Sequence, residues 1–301
     1  MVKVRNILLA FAMLALYVGC DKVEPTGILI GNTNVNDRVK QSIEYYSDDK
    51  NGEKKKFFLK AKNKEYSFLI VADSHTTNDL NRLTEFFDEA SNGNYLFSAH
   101  LGDFAETKSE YYHAVDTLLQ GYENKLGDDW HFYPVVGNHD ISHSGWSLFN
   151  LIFGASTYFV MIEVDANKDI YDLCIFLDSA NASLGKEQME FLRSFFEDEM
   201  RKGFRNYFVF THNPFFRPRT NVVSSNFPRE ELYYLLNLFA ENNVNYVFSG
   251  HLHAHGENTF RGVKYITMDA FSERNNPEKG EMVKITCKEN GDITYELLYV
   301  K

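Results

Sequence analysis

The stretch Tyr66-Ser67-Phe68-Leu69-Ile70-Val71-Ala72-Asp73-Ser74-His75 is an apolar run that stops abruptly at a carboxylate and an imidazole. The run, Tyr66–Ala72, predicts a buried strand, with the polar pair just past its end. The same construction recurs four more times along the chain. Tyr95–Leu101 ends in Gly102-Asp103 and His131–Val136 in Gly137-Asn138-His139-Asp140. Tyr207–Phe210 ends in Thr211-His212, and Val244–Phe248 leads into Gly250-His251-Leu252-His253. Between these strands the apolar residues take helical spacing. Examples are Leu80, Leu83, Phe86, Phe87 and Ala90, and Leu192, Phe195, Phe196 and Met200 within Lys186–Arg201. Lys108–Gln120 and Glu230–Asn242 read as further helices, and Tyr158–Val164 and Tyr171–Leu177 as further strands. Phe57–Leu59 is expected to pair with Tyr66–Ala72 as a hairpin with a lysine-rich edge, a device against edge-to-edge pairing. Turns at Arg261-Gly262 and Asn290-Gly291 close two later hairpins. Strands alternating with helices, followed by meander strands, predict one α/β sandwich domain over residues 56–301 with its functional loops at strand ends.

The composition agrees with a single globular body. Of 301 residues, 44% are hydrophobic and 24% charged, enough to bury a substantial core. The net charge of -11 argues against a nucleic-acid duplex as partner, because the phosphate backbone attracts basic surfaces. An acidic protein that binds phosphate must carry a cation locally in its site. No protein partner is inferred. Met1–Cys20 reads as an export signal: Lys3 and Arg5 precede an apolar run, Ile7–Val18, that is 12 residues long. A membrane-spanning helix needs roughly 20. The segment ends in Tyr17-Val18-Gly19-Cys20, similar to a bacterial lipobox apart from Tyr17. The expectation is therefore an exported lipoprotein, membrane-anchored through Cys20 on the periplasmic or cell-surface side. Residues 21–55 read as a polar tether with a short helix around Val39–Tyr46. Cys174 and Cys287 sit in strand-like runs, where cysteine is usually a small buried hydrophobe, and an exported protein could pair them.

Any one of the five strand-end clusters carries little information. A lone histidine after a strand is more often structural than a ligand. Five clusters in order are a different matter, because burying several carboxylates and imidazoles together is costly without compensating cations. A pair of metal ions resolves that conflict. Mixed imidazole and carboxylate donors suit two divalent transition metals (Mn, Fe or Zn), whereas an all-oxygen set would suit magnesium or calcium.

The ordered set D-x-H, G-D, G-N-H-D, H and G-H-x-H resembles the calcineurin-like metallophosphoesterases from about Tyr66 to Ala270. Phe176-Leu177-Asp178-Ser179, Gln188 and Leu192 add to the likeness. The resemblance implies a four-layer α/β/β/α sandwich and a dinuclear metal-dependent hydrolase of phosphate esters. It implies that Asp73, His75 and His253 bind one metal and that Asn138, His212 and His251 bind the other, with Asp103 bridging both. A metal-bridging hydroxide would be the nucleophile. His139 would act as general acid or charge stabiliser, with Asp140 orienting its ring.

Departures from the family's branches narrow the expectation. Glu106 stands where purple acid phosphatases place a tyrosine ligand, the G-D-x-V-D-R-G pattern of protein phosphatases is absent, and Asn213 replaces a common histidine. A phosphodiesterase acting on cyclic nucleotides or lipid head groups, and a non-catalytic surface lipoprotein of the same fold, are the alternatives. For substrate contacts the candidates are Arg217, Arg219 and His143, with Trp146 as a pocket wall or core residue. His100, His113, His131 and His255 are assigned to structure or surface.

Overall fold

The computed structural model describes residues 34–47, 57–106, 108–197, 203–224 and 226–300. The chain opens with helix α1 (Val35–Ser47) and strands β1 (Phe58–Lys60) and β2 (Tyr66–Val71). Helix α2 (Asn81–Asn92), β3 (Phe97–His100), α3 (Ser109–Leu126), β4 (Phe132–Pro134) and α4 (Gly145–Phe153) follow. Then come β5 (Tyr158–Asp165), β6 (Ile170–Phe176), α5 (Gly185–Glu197), β7 (Tyr207–Phe210), α6 (Arg229–Glu241) and β8 (Tyr246–Ser249). Two hairpins finish the chain, β9 (Gly256–Phe260) with β10 (Val263–Thr267) and β11 (Gly280–Cys287) with β12 (Ile293–Val300).

The strands form two sheets, in the orders β1-β5-β6-β7-β8-β10-β9 and β12-β11-β2-β3-β4. Strand β2 shows why its sequence is apolar throughout. Phe68 and Ile70 point between the sheets, while Leu69 and Val71 point to the helices on the outer face. A strand buried on both sides reads as a continuous run. Rings interlock across the inter-sheet core, with Phe68 at 5.3 Å from Phe208 and Tyr133 at 5.7 Å from Phe176. Helices α5 and α6 cover the larger sheet through Leu192, Phe195, Leu235 and Phe239. Helices α2, α3 and α4 cover the smaller through Phe86, Phe87, Tyr112 and Phe149. Two sheets flanked by helices are the expected α/β/β/α layering.

Two sequence expectations change. Phe57–Leu59 does not form a hairpin with Tyr66–Ala72: β1 pairs in parallel with β5, while β2 pairs with β3 and β11 in the other sheet. Leu59 drives the separation by entering the inter-sheet core from the opposite side. The short helix expected around Val39–Tyr46 is present as α1, but this part of the polar segment 21–55 is no loose tether, because Val35, Val39, Arg38 and Ser42 are buried. Of the two readings of Trp146, the core one holds: it is on α4, a helix that the sequence pattern does not announce, and its indole N–H donates to Gln41 on α1 at 3.0 Å. Cys174 and Cys287 are free, buried thiols facing the inter-sheet core. Met1–Cys20 lies outside the described residues, among which no helix is long and apolar enough to cross a membrane.

Candidate metal centre

All five loops that carry the expected ligands leave the C-terminal ends of parallel strands, β2, β3 and β4 in one sheet and β7 and β8 in the other. They meet because the loops turn back sharply. Asp73, His75, Asp103, His251 and His253 all have positive φ, between 42° and 70°. Non-glycine residues hold this conformation only where surrounding structure enforces it, and such strain gathers at functional sites. Two glycines permit the closest approach. A methyl group on Gly137 would collide with the Asp103 backbone and carboxylate, and one on Gly102, itself at φ +92°, would lie 2.7 Å from Gly137 N.

Two groups of donors result. In the first, Asp73, His75 and His253 converge, with His75 Nε2 3.1 Å from His253 Nε2 and the latter 3.6 Å from Asp73 Oδ1. In the second, Asp103, His212 and His251 converge. Asn138 Oδ1 joins them, 2.8 Å from His212 Nε2 and 2.9 Å from His251 Nδ1. Asp103 Oδ2 lies 3.9 Å from His75 Nε2 and 3.4 Å from His212 Nε2, so one oxygen faces both groups. All seven residues assigned as ligands are thus brought together.

The donor set fits cations. Asp73 Oδ1 is buried and accepts no hydrogen bond among the described residues, a costly arrangement unless a cation takes the lone pair. The His212 Nδ1–H donates to Leu101 O at 2.8 Å, which fixes the tautomer and turns Nε2 into the site. Carboxylates and imidazoles perturb one another strongly here. Burial alone would depress the His212 imidazole, but the Asp103 carboxylate outweighs it and pushes the group up to about 9. Burial and the neighbouring His212 depress His251 to about 4. Burial would raise the Asp103 carboxyl, yet His212 and its other imidazole neighbours hold it well below the usual range.

The raised His212 pKa carries a pH prediction. Because its folded pKa lies above the unfolded value of about 6.5, the Asp103–His212 interaction stabilises metal-free protein fully below pH 6.5 and is lost as pH rises through about 9. A metal ion that takes His212 Nε2 must displace that proton. Metal uptake at pH 7.5 should therefore release about one proton from this residue, and apparent affinity should climb toward pH 9. Calorimetric titrations in buffers of differing ionisation enthalpy measure the proton count directly.

Asp140, expected beside the His139 ring, is fully buried under the ligand-bearing loops. Its carboxylate accepts the backbone N–H groups of Asp103 (2.8 Å), Phe104 (3.0 Å) and Gly137 (2.8 Å) and the Tyr112 hydroxyl (2.5 Å). It therefore pins two ligand loops together. Burial and the Asp103 charge push its carboxyl up to about 6. His139 approaches the centre by another route: its backbone N–H donates to Asp103 Oδ1 at 2.8 Å, and its ring stands edge-on to His75 at 4.8 Å. Glu106, singled out in the sequence only for not being tyrosine, offers an oxygen within 4.8 Å of donor atoms on His75 and His139.

The remaining candidates separate clearly. Arg217 is half-buried, and Arg219 and His143 are exposed. Ser179 is a positioning residue that sequence reasoning missed; its hydroxyl accepts the backbone N–H groups of His212 at 3.1 Å and Asn213 at 2.9 Å. His100 is structural. Its Nε2 meets Ser74 Oγ at 2.8 Å, its ring stacks on Phe104, and burial depresses it to about 3. His255 is held by Glu281 at 2.9 Å and Glu257 at 3.3 Å, outside both ligand groups.

The sequence model of the calcineurin-like phosphoesterase family matches residues 66–255, which contain every candidate ligand named above. The chain belongs to the calcineurin-like phosphoesterase family. Solved structures of the same fold are distant in sequence. A dimetal phosphatase from Danio rerio is 14% identical with a TM-score of 0.50, the match covering 78% of this chain and 98% of that one. A purple acid phosphatase from yellow lupin is 12% identical with a TM-score of 0.55, over 78% of this chain and 52% of the other. A Plasmodium protein described as GAP50, the anchor in the inner membrane complex, is 16% identical with a TM-score of 0.51, over 79% and 89%. No curated protein sequence matches the chain. As a calcineurin-like phosphoesterase, the protein is a phosphoester hydrolase, and its two donor groups point to a binuclear metal site.

Proposed function

We propose that the protein hydrolyses phosphate esters at a centre of two divalent transition metals (Mn, Fe or Zn), outside the cytoplasmic membrane, held there by a lipid on Cys20. The observation that carries the catalytic part is Asp103 Oδ2 facing both donor groups at once. Asp73, His75 and His253 would hold one ion, and Asn138, His212 and His251 the other. Bound there, the pair would supply Lewis acidity, lowering the pKa of water and offsetting charge on phosphate oxygens.

The chain's own residues supply the rest. Asp103 spaces the two groups and fixes the His139 loop through the backbone bond to its Oδ1. His139 presents its imidazole beside His75, where a ring N–H can donate to the departing ester oxygen. Asp140 holds the Gly102-Asp103 and Gly137-Asn138 turns in contact. The anchor reading is supported by Lys3, Arg5, the apolar run Ile7–Val18 and Cys20.

The fold also suits a binding protein without activity, a role in keeping with the Plasmodium protein described as an anchor. In this chain every expected ligand position is filled. The test is metal-loaded protein lacking residues 1–20, assayed with chromogenic phosphate mono- and diesters. The mono- to diester rate ratio identifies the branch. His139→Ala should lower kcat by about 10²–10⁴-fold with metal content unchanged. An inert metal-replete wild type across both ester classes would overturn the reading, and a fully active His139 variant would remove its general acid.

A further inference from the structure

An acidic chain that acts on phosphate needs a cation at its site, and among the described residues the arginines chosen from sequence make no hydrogen bond or ion pair with the donor groups. The structure brings a different one to the metal centre. Arg274 lies in the loop between β10 and β11, 76% exposed at its side chain, and its Nη1 donates to Glu106 Oε1 at 3.1 Å. The same Oε1 is 3.7 Å from His75 Nδ1. The guanidinium therefore stands at the edge of the donor cluster formed by His75, Glu106 and His139.

The loop that carries Arg274 is fastened to the centre. Phe271 N–H donates to Ala72 O at 2.8 Å and Ser272 N–H to Asp73 O at 3.0 Å, so its backbone is bonded directly to that of a metal ligand. Buried Arg82 on α2 ties the same loop from behind, donating to the carbonyls of Phe271 (3.2 Å), Asn276 (2.7 Å) and Pro277 (3.2 Å). Ser272 Oγ accepts the Arg274 N–H at 3.2 Å. A fixed rim with a solvent-facing guanidinium is a different object from a loose surface arginine.

We propose that Arg274 is the substrate-recognition cation of this site, binding the non-reacting oxygens of a phosphate monoester. The proposal rests on the phosphoesterase reading above. Glu106 takes Nη1 and orients the fork, while a guanidinium has five donors and matches phosphate with two parallel bonds. An exposed arginine–carboxylate pair is weak enough to be shared with an arriving anion. Glu106, through its bond to Nη1, holds the guanidinium beside the rim of His75 and His139, where the ester bond would break.

The test uses inorganic phosphate as probe and does not depend on turnover. Calorimetric titration of phosphate into manganese-loaded protein should show about tenfold weaker binding for Arg274→Ala than for wild type, with Arg274→Lys recovering part of the loss. Metal content and melting temperature should stay at wild-type values, since the side chain is exposed. With a phosphate monoester, KM should rise by a similar factor while kcat stays within about twofold. Phosphate affinity unchanged in Arg274→Ala would overturn the proposal, and so would a wild type that binds no phosphate. A fall in kcat or metal content with KM intact would also overturn it, showing that Arg274 acts only through Glu106 and His75. Arginine-dependent phosphate binding in a protein that hydrolyses no ester would leave the Arg274 assignment standing and remove the hydrolase reading instead.

Discussion

Replacing Asp103 with asparagine is expected to lower kcat/KM by about 10³-fold or more and to leave the chain unable to hold two ions together. The substitution is isosteric. The amide oxygen can still accept the His139 backbone N–H that now meets Oδ1. What changes is the atom that faces both donor groups: an anionic acceptor becomes an NH₂ donor, opposite His75 Nε2 and His212 Nε2. The same change removes the charge that holds His212 up at about 9. Steady-state assays and metal analysis on the same preparation check the two effects together. Full activity in a variant with normal metal content would show that Asp103 does not bridge.

Breaking the ion pair between Arg38 and Asp178 is the largest stability effect expected. Arg38 Nε donates to Asp178 Oδ2 at 2.7 Å and Nη2 to Oδ1 at 2.9 Å, with both side chains fully buried. Asn181 Oδ1 accepts a third bond at 2.7 Å, and the guanidinium carbon lies 5.7 Å from the Trp146 ring. Arg38→Met would leave the Asp178 carboxylate buried and unpaired, a loss of about 3–5 kcal/mol. The melting temperature should fall by about 10 °C. The double variant Arg38→Met with Asp178→Leu should recover much of that, because an apolar replacement of both partners removes the stranded charge. Ser179 follows Asp178 and holds the His212 and Asn213 backbones, so the single variant should weaken metal binding as well. Equal stability of the single variant and wild type in thermal unfolding would show α1 to be a passenger.

The five strand ends were legible because each signal is local. An apolar run gives the strand, and the residues just past it give the ligands, so order along the chain already groups Asp73, His75, Asp103, Asn138, His212, His251 and His253. The misread features depend on contacts between distant positions. Leu59 and Tyr66 stand close in sequence and look like two arms of a hairpin, yet both enter the same core from opposite sheets. Arg38 sits in a polar stretch and reads as solvated; its partner is 140 residues away. Asp140 follows His139 directly, and nothing in that position shows that its carboxylate also accepts backbone N–H groups of the distant Gly102-Asp103 turn. Arg274 and Glu106 are 168 residues apart, and nothing at either position announces the other. Motifs carry chemistry that short spacing can express, while braces and rims come from the tertiary fold.

Anomalous diffraction from crystals of the manganese-loaded protein tests the paired centre most directly. Two peaks are predicted, about 3.5–4 Å apart on either side of the Asp103 carboxylate. One should lie among Asp73, His75 and His253, and the other among Asn138, His212 and His251. A single peak, or ions bound elsewhere with these seven side chains left empty, would contradict it.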